Sequence, residues 1–466
     1  MPHAGPHPLA LFSLLPLNER SQAVLDHPYN KHLVSRQKDG RLALDIGHVR
    51  SMLGDPTLAT LGRNGDIYVE GSSFSRNQCS FEINPYTKVV MFYDRSHSQT
   101  SQVFGQDNAF PLEPGRPRKV LVRQGLNIYI GMGGVARDLI QFQLIWHNGG
   151  LTETIELVKG REAITLEEHL RFSRTLDESI TASSTQRQTR VHTPGARQLK
   201  MRHVKENTLG SGEFGEVYKA IDVDTGMFMA VKVLKPREAT PEDMQSFYKR
   251  VKGEVEKLSR IDNASKTSLK LLFVGLDDCT SQEFKIFMGL KEGNLTTLIE
   301  GGCSTDIDNL CITVLRHMLR ALGYLESQRI IYRDVKPDNI LYVTRQNKQY
   351  HFLLGDFGLR NNADMAKTFA GTPPYMAPEI LTGFREASKR FRSPKDAQNA
   401  VLHVASNEEK VAVISEMATV DPEKRSSAAA MLLKCFGEKG LTSQHDQVSY
   451  AKNSPVLTCH TTDTYY

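Results

Sequence analysis

Residues 332–339 read Tyr-Arg-Asp-Val-Lys-Pro-Asp-Asn, and residues 354–359 read Leu-Gly-Asp-Phe-Gly-Leu. The first phrase places a carboxylate, Asp334, close to a cation, Lys336, and a carboxamide, Asn339; the second adds another carboxylate, Asp356. Moving a phosphoryl group onto a hydroxyl asks for these groups. A base must take the hydroxyl proton, a positive charge must sit near the moving phosphate, and hard oxygens must hold Mg²⁺. Asp334 and Lys336 are candidates for the first two tasks, and Asn339 and Asp356 for the third.

Working outward, Gly210-Ser211-Gly212-Glu213-Phe214-Gly215-Glu216-Val217 lies upstream. Its glycines would let backbone amides close over phosphates, although a lone G-x-G-x-x-G is as readily a plain turn. Met229-Ala230-Val231-Lys232 follows as a short apolar run that would bring an ammonium to the α and β phosphates. The helical pattern over 243–260 offers Glu254 as the partner of Lys232, with Glu256 close by; register favours Glu254.

Together with Gly371-Thr372-Pro373 and Ala377-Pro378-Glu379, these phrases resemble a eukaryotic protein kinase over residues 201–437. Lys336, two residues after the base, is similar to the Ser/Thr-directed pattern. The resemblance implies ATP and Mg²⁺ as cofactors, with Gly210, Gly212 and Gly215 over the phosphates. It places Val217, Ala230 and Leu341 around the adenine and Met288 at the back of the pocket. Thr368 and Thr372 fall where relatives are phosphorylated, and Arg333 would pair with that phosphate. Tyr332 stands where the family has His, a position that supports the loop by packing.

One departure matters more. The family runs on from Glu379 into a buried helix announced by Asp-x-Trp-Ser-x-Gly, yet the single Trp of this chain is Trp146. Residues 380–410 are polar and basic instead, including Lys389-Arg390-Phe391-Arg392-Ser393-Pro394. Three average helices with their connections need roughly 50 residues, which leaves little room before Asp421-Pro422 and Arg425, the expected partner of Glu379. A large lobe without its central helix is the expectation.

A second signature occupies the first third. Leu61-Gly62-Arg63-Asn64-Gly65, Phe74-Ser75-Arg76-Asn77-Gln78 and Ser98-Gln99-Thr100-Ser101 resemble the ligand loops of a forkhead-associated (FHA) domain. The resemblance makes Arg63, Ser75 and Arg76 the grip on phosphothreonine, with Ser98 and Gln99 in the third loop. A guanidinium fork beside a hydroxyl suits a phosphate. Gln78 replaces the usual His. Ser80–Ile83, Val89–Tyr93, Lys119–Val122, Asn127–Gly131 and Gln141–Trp146 read as short strands of a sandwich, and Leu9–Leu17 as a first strand, too short to span a bilayer.

The expected fold class is therefore multidomain: an all-β FHA sandwich, then a bilobal α+β kinase fold lacking a recognisable central helix in its large lobe. The expected segments are 1–39 as an N-terminal stretch, 40–147 as the FHA domain, 148–200 as a Ser/Thr/Gln/Arg-rich linker with a short helix capped at Thr165–Glu168, 201–437 as the kinase, and 438–466 as a polar tail. A net charge of +5 over 466 residues gives no basis for nucleic-acid binding. Six cysteines in no paired spacing point to free thiols in a reducing compartment and to no zinc site; an intracellular setting is expected, with the nucleus ahead of the cytoplasm.

The order FHA then kinase resembles the DNA-damage checkpoint kinases. It implies Ser/Thr protein substrates, phosphothreonine-containing partners, self-association through the FHA module, and no membrane. The rival reading is a phosphothreonine-binding adaptor with a kinase-like scaffold, favoured by the missing helix and opposed by the intact Lys232, Asp334 and Asp356.

Overall fold

The computed structural model describes residues 4–105, 109–147, 201–212, 215–234, 284–302, 306–327, 331–332, 334–345, 349–355, 375, 377, 415–419 and 421–438. The chain forms two compact units, Met1–Val233 with Asp277–Phe287, and Leu234–Leu276 with Met288–Tyr466.

The first unit opens with eleven described strands: β1 (Phe12–Pro16), β2 (Val34–Arg36), β3 (Leu42–Ile46), β4 (Thr57–Gly62), β5 (Ile67–Tyr68), β6 (Cys79–Ile83), β7 (Val90–Asp94), β8 (Ser101–Phe104), β9 (Lys119–Leu121), β10 (Tyr129–Met132) and β11 (Ile140–Trp146). They form a six-stranded sheet in the order β2-β3-β1-β11-β10-β8 and a five-stranded sheet in the order β5-β4-β6-β7-β9. Inward residues of both sheets, among them Phe12, Leu14, Leu61, Phe81, Phe92 and Phe142, share one buried core. Phe12 meets Phe81 edge to face with ring centroids 5.0 Å apart, an arrangement that suits the ring quadrupoles.

Strand β1 lies centrally between β3 and β11, with Leu14 opposite Leu144 and Phe12 opposite Trp146. The apolar run at Leu9–Leu17 is therefore a strand, and the sheet reaches back to Phe12, so a boundary at residue 40 cuts through it. Between β1 and β2 lies helix α1 (Glu19–Asp26). The Asn18 side chain accepts from Ser21 N at 2.9 Å, and Ser21 Oγ accepts from Asn18 N at 3.0 Å, which satisfies two donors that a helix start otherwise leaves unpaired.

The same unit holds β12 (His203–Gly212), β13 (Gly215–Asp222) and β14 (Phe228–Leu234), which with β15 (Phe284–Gly289) form a sheet in chain order. Tyr218, Ala220, Met229, Val231, Val233 and Phe287 make its buried side. Period-two alternation puts Val217, Ala230 and Lys232 on the opposite face.

The second unit contains a three-stranded sheet of β16 (Gly293–Asn294), β17 (Ile340–Thr344) and β18 (Tyr350–Leu354), with helices α2 (Leu295–Glu300), α3 (Ile307–Ser327) and α4 (Ala428–Phe436). Leu310, Met318, Ala321 and Leu325 recur at helical spacing on α3 and pack with Leu298, Ile340, Phe352 and Leu354. Its other side carries α4 through Leu319, Met431, Leu432 and Cys435. Gly437 ends α4 with φ +66, a conformation that glycine adopts without a Cβ clash. Beyond it, Glu438 accepts from Arg320 Nε at 2.8 Å and from Arg316 Nε at 2.6 Å. Among the described residues no helix is long and apolar enough to cross a membrane.

Candidate active site

Strand register builds one candidate cluster, in the first unit. Gly210 is opposite Val217, and Val217 is opposite Lys232, so the three form one row across β12, β13 and β14. Gly212 faces Gly215 where the hairpin closes. A Cβ on Gly210 would meet no atom within 4 Å, which leaves the backbone open to a ligand. Gly215 has φ +129, a region that favours glycine. Lys232 is 8% exposed and Ala230 is buried beside it on β14. Met288 lies half-buried on β15.

A second cluster, in the second unit, is a hydrogen-bonded loop. The Lys336 ammonium lies 3.0 Å from Asp334 Oδ2. Asn339 donates through Nδ2 to Asp334 O at 2.8 Å and to Asp334 Oδ2 at 3.0 Å. Its backbone is pinned on both sides, its N–H donating to Lys336 O at 2.9 Å and its carbonyl accepting from Gly355 N at 2.7 Å. A tight turn over Pro337–Asn339 leads into β17, which carries Leu341 opposite Leu353.

Gly355, the residue before Asp356, is where the loop is closed. A Cβ there would stand 2.7 Å from Leu341 Cγ, so only glycine lets the chain pass. The Tyr332 hydroxyl bonds the Gly355 carbonyl. Tyr in place of His therefore holds this loop by a direct bond as well as by packing. Because Asn339 spends both donor bonds on Asp334, its Oδ1 remains as a hard oxygen suited to Mg²⁺.

A third cluster sits where β4, β6, β7 and β10 end. Gly62 needs its bare backbone: a Cβ would lie 2.2 Å from Arg76 O. That approach lets Arg63 N donate to Ser75 O at 3.2 Å and Asn64 N to Arg76 O at 2.9 Å. The Arg63 guanidinium is anchored through Nε to Phe74 O at 2.6 Å, while Arg63, Arg76, Ser98 and Gln99 are exposed and Ser75 is half-buried. Ser75 Oγ accepts from His97 N at 3.3 Å.

Gln78, fully buried, braces these loops. Its Oε1 accepts from Ser75 N at 3.0 Å and its Nε2 donates to Thr100 Oγ1 and Ser101 Oγ, both at 2.9 Å. The structure thus brings Arg63, Ser75, Arg76, Ser98 and Gln99 onto adjoining loops. It also adds Arg137, whose Nε donates to Gln99 O at 2.9 Å across 38 residues of chain. No local pattern near residue 137 announces that contact.

Glu254, Asp356, Thr368, Thr372, Arg333 and Glu379 lie outside the described residues, as do the linker, the tail and the segment expected to lack the central helix. Arg425 is described, and its Nε donates to Thr419 O at 2.9 Å.

Residues 203–397 match the protein kinase domain family. Curated relatives include a probable serine/threonine-protein kinase of Dictyostelium discoideum, 33% identical over 198 residues, which are 40% of this chain and 37% of the relative. Mouse myosin light chain kinase family member 4 is 29% identical over 182 residues, 38% of this chain and 43% of that protein. The MAP kinase kinase kinase SSK2 of Saccharomyces cerevisiae is 30% identical over 218 residues, 40% of this chain and 13% of that protein. The chain thus spans less than half the length of these relatives. Among solved structures, Rad53 residues 1–466 in complex with AMP-PNP superposes with a TM-score of 0.50 at 18% identity, covering 94% of this chain and 99% of that one. That likeness concerns the fold.

Proposed function

We propose that this chain, which carries a protein kinase domain with serine/threonine kinases as its matched relatives, transfers the γ-phosphoryl group of ATP to Ser and Thr hydroxyls of proteins. Its β-sandwich recruits those proteins by gripping phosphothreonine. The observation that carries the reading is the bonded set Asp334, Lys336 and Asn339. Asp334 takes the proton of the acceptor hydroxyl. Lys336, 3.0 Å from that carboxylate, offsets the charge gathering on the transferred group. Lys232 holds the α and β phosphates, and Glu254 holds Lys232.

Asn339 and Asp356 would hold Mg²⁺, which would supply positive charge against the phosphate oxygens. Val217, Ala230, Leu341 and Met288 line the adenine site, and phosphorylation at Thr368 or Thr372 orders the adjoining segment through Arg333. In the sandwich, Arg63 and Arg76 fork onto phosphate oxygens, the Ser75 hydroxyl donates to one, and Ser98 and Gln99 contact the peptide. A sandwich followed by a kinase supports a role in checkpoint-type signalling, with partners that include phosphorylated copies of this chain. An intracellular, nuclear setting belongs to the same proposal, in keeping with the free thiols Cys79, Cys311 and Cys435.

The test is Mg²⁺-dependent transfer of labelled phosphate to a Ser/Thr peptide mixture by the full chain, with Asp334→Asn as control. Loss of a positioned base lowers such rates by about 10²- to 10⁴-fold. A folded chain that binds phosphothreonine peptide yet transfers nothing would establish the adaptor reading instead.

A further inference from the structure

The turn that joins β13 to β14 has no part in the kinase site, yet its Asp222, Val223, Asp224 and Gly226 are buried. Val223 is 0% exposed and Ile221 3%, and both belong to the core of the β-sandwich, with Val90, Met91, Val120 and Leu121. Backbone bonds continue the contact: Leu121 N donates to Val223 O at 2.8 Å, so the edge strand β9 is capped by the kinase hairpin.

Side chains close the joint. The Asp224 carboxylate, with 0% of its side chain exposed, lies 3.0 Å from Arg116 Nη1 of the sandwich and 3.1 Å from Arg202 Nε. Arg202 also donates to Pro111 O at 2.5 Å, and Glu113 lies 2.6 Å from Arg116. Two buried guanidinium groups therefore share the buried Asp224 carboxylate, and Glu113, 43% exposed, pairs with them at the edge of the joint. On the other flank, Thr87 Oγ1 donates to Gly226 O at 2.6 Å and Asn84 Nδ2 to Thr225 O at 3.1 Å. Gly226 has φ +69, and a Cβ there would stand 2.6 Å from Met91 Sδ.

We propose that the sandwich has a second binding face, apart from its phosphothreonine loops, whose ligand is this β13–β14 turn, and that docking there holds the kinase's small sheet in its working fold. The two faces lie at opposite ends of the same strands. Residues 75–78 and 95–100 flank β6 and β7 at one end, and Asn84 to Val89 turn at the other; five residues at about 3.3 Å each separate them by roughly 17 Å. A phosphorylated partner and the kinase hairpin can then occupy the sandwich together. The docked hairpin also carries Val217 and Lys232, so its loss weakens nucleotide binding while leaving phosphothreonine binding intact.

The experiment inserts a specific-protease site between Thr185 and Gln186 of the full chain, cleaves it after folding, and follows the two fragments by gel filtration and hydrogen exchange. The cleaved wild type is expected to elute as one complex. Arg116→Glu sets a carboxylate against Asp224, and Gly226→Asn keeps a turn conformation that Asn tolerates while driving a Cβ onto Met91. Each is expected to weaken fragment association by about 30-fold or more, with exchange protection retained in β1 of the sandwich and reduced in β13 and β14 of the undocked sheet. Separation of the cleaved wild-type fragments into two folded species would overturn the proposal. So would co-elution of both variants at wild-type affinity.

Discussion

Asn339→Asp separates two roles that the residue is given. As a ligand for Mg²⁺, an anionic oxygen in place of a carboxamide oxygen should serve at least as well. As a donor, it should fail. Asn339 is 6% exposed, and its Nδ2 holds both the carbonyl and the carboxylate of Asp334, at 2.8 and 3.0 Å. Aspartate removes both bonds and sets two carboxylates in contact, which disfavours their joint ionisation. A neutral hydrogen bond contributes about 0.5–1.5 kcal/mol and one to a charged group about 1.5–3. The sum of about 2 to 4.5 kcal/mol, if it is expressed in the transition state, is a loss of about 30- to 2,000-fold in kcat. Steady-state transfer of labelled phosphate at saturating ATP and Mg²⁺ measures it, with thermal denaturation confirming that the variant is folded. A variant with wild-type kcat would refute the claim that Asn339 orients Asp334.

Further expectations concern the other clusters. Gly62→Ala forces a Cβ to 2.2 Å from Arg76 O, whereas Gly40→Ala, also at positive φ, meets nothing within 4 Å; the melting temperature should fall much further for the first. Arg63→Ala should weaken binding of a phosphothreonine peptide by about 10- to 100-fold, the scale of a lost charge-assisted bond, while Arg137→Ala, which frees only the Gln99 carbonyl, should cost less; equal effects in a fluorescence titration would contradict the assignment. Burial first, then the neighbouring His351, Arg320, Arg316 and Arg345, lower the pKa of His317 from 6.5 to about 3. The unfolded chain then takes up a proton that the folded chain refuses, so this contribution to stability is full above pH 6.5 and is lost as pH falls from there toward 3. His317→Gln should flatten the pH dependence of denaturant midpoints in that window, and an unchanged slope would count against it.

How much could be read from sequence depended on whether the chemistry was local. Asp334, Lys336 and Asn339 bond one another within a few residues, and their phrase was legible because the contact and the spacing coincide. Strand β11 was legible for a similar reason, since its burial alternates along Ile140–Trp146. Strand β4 was not: all six residues of Thr57–Gly62 are buried, so no period-two signal marks it. Helix α1 was missed because its capping box uses Ser21 at the third position, where the usual signature has Glu or Gln.

The joint between sandwich and kinase was invisible for a deeper reason. Asp222-Val223-Asp224-Thr225-Gly226 reads as an ordinary polar turn, and such turns are ordinarily solvated. Only the fold shows that Asp224 is shared by Arg202, 22 residues away, and Arg116, 108 residues away. A buried carboxylate between two guanidinium groups is expensive unless every member is paired, so the pairing ties the kinase hairpin to the sandwich. A kinase segment cut out at residue 201 would keep Asp224 and Arg202 but lose Arg116 and the apolar cover of Val223. The full chain is therefore the unit in which the transfer chemistry should be measured, because the motif that names the chemistry does not contain the surface that completes its fold.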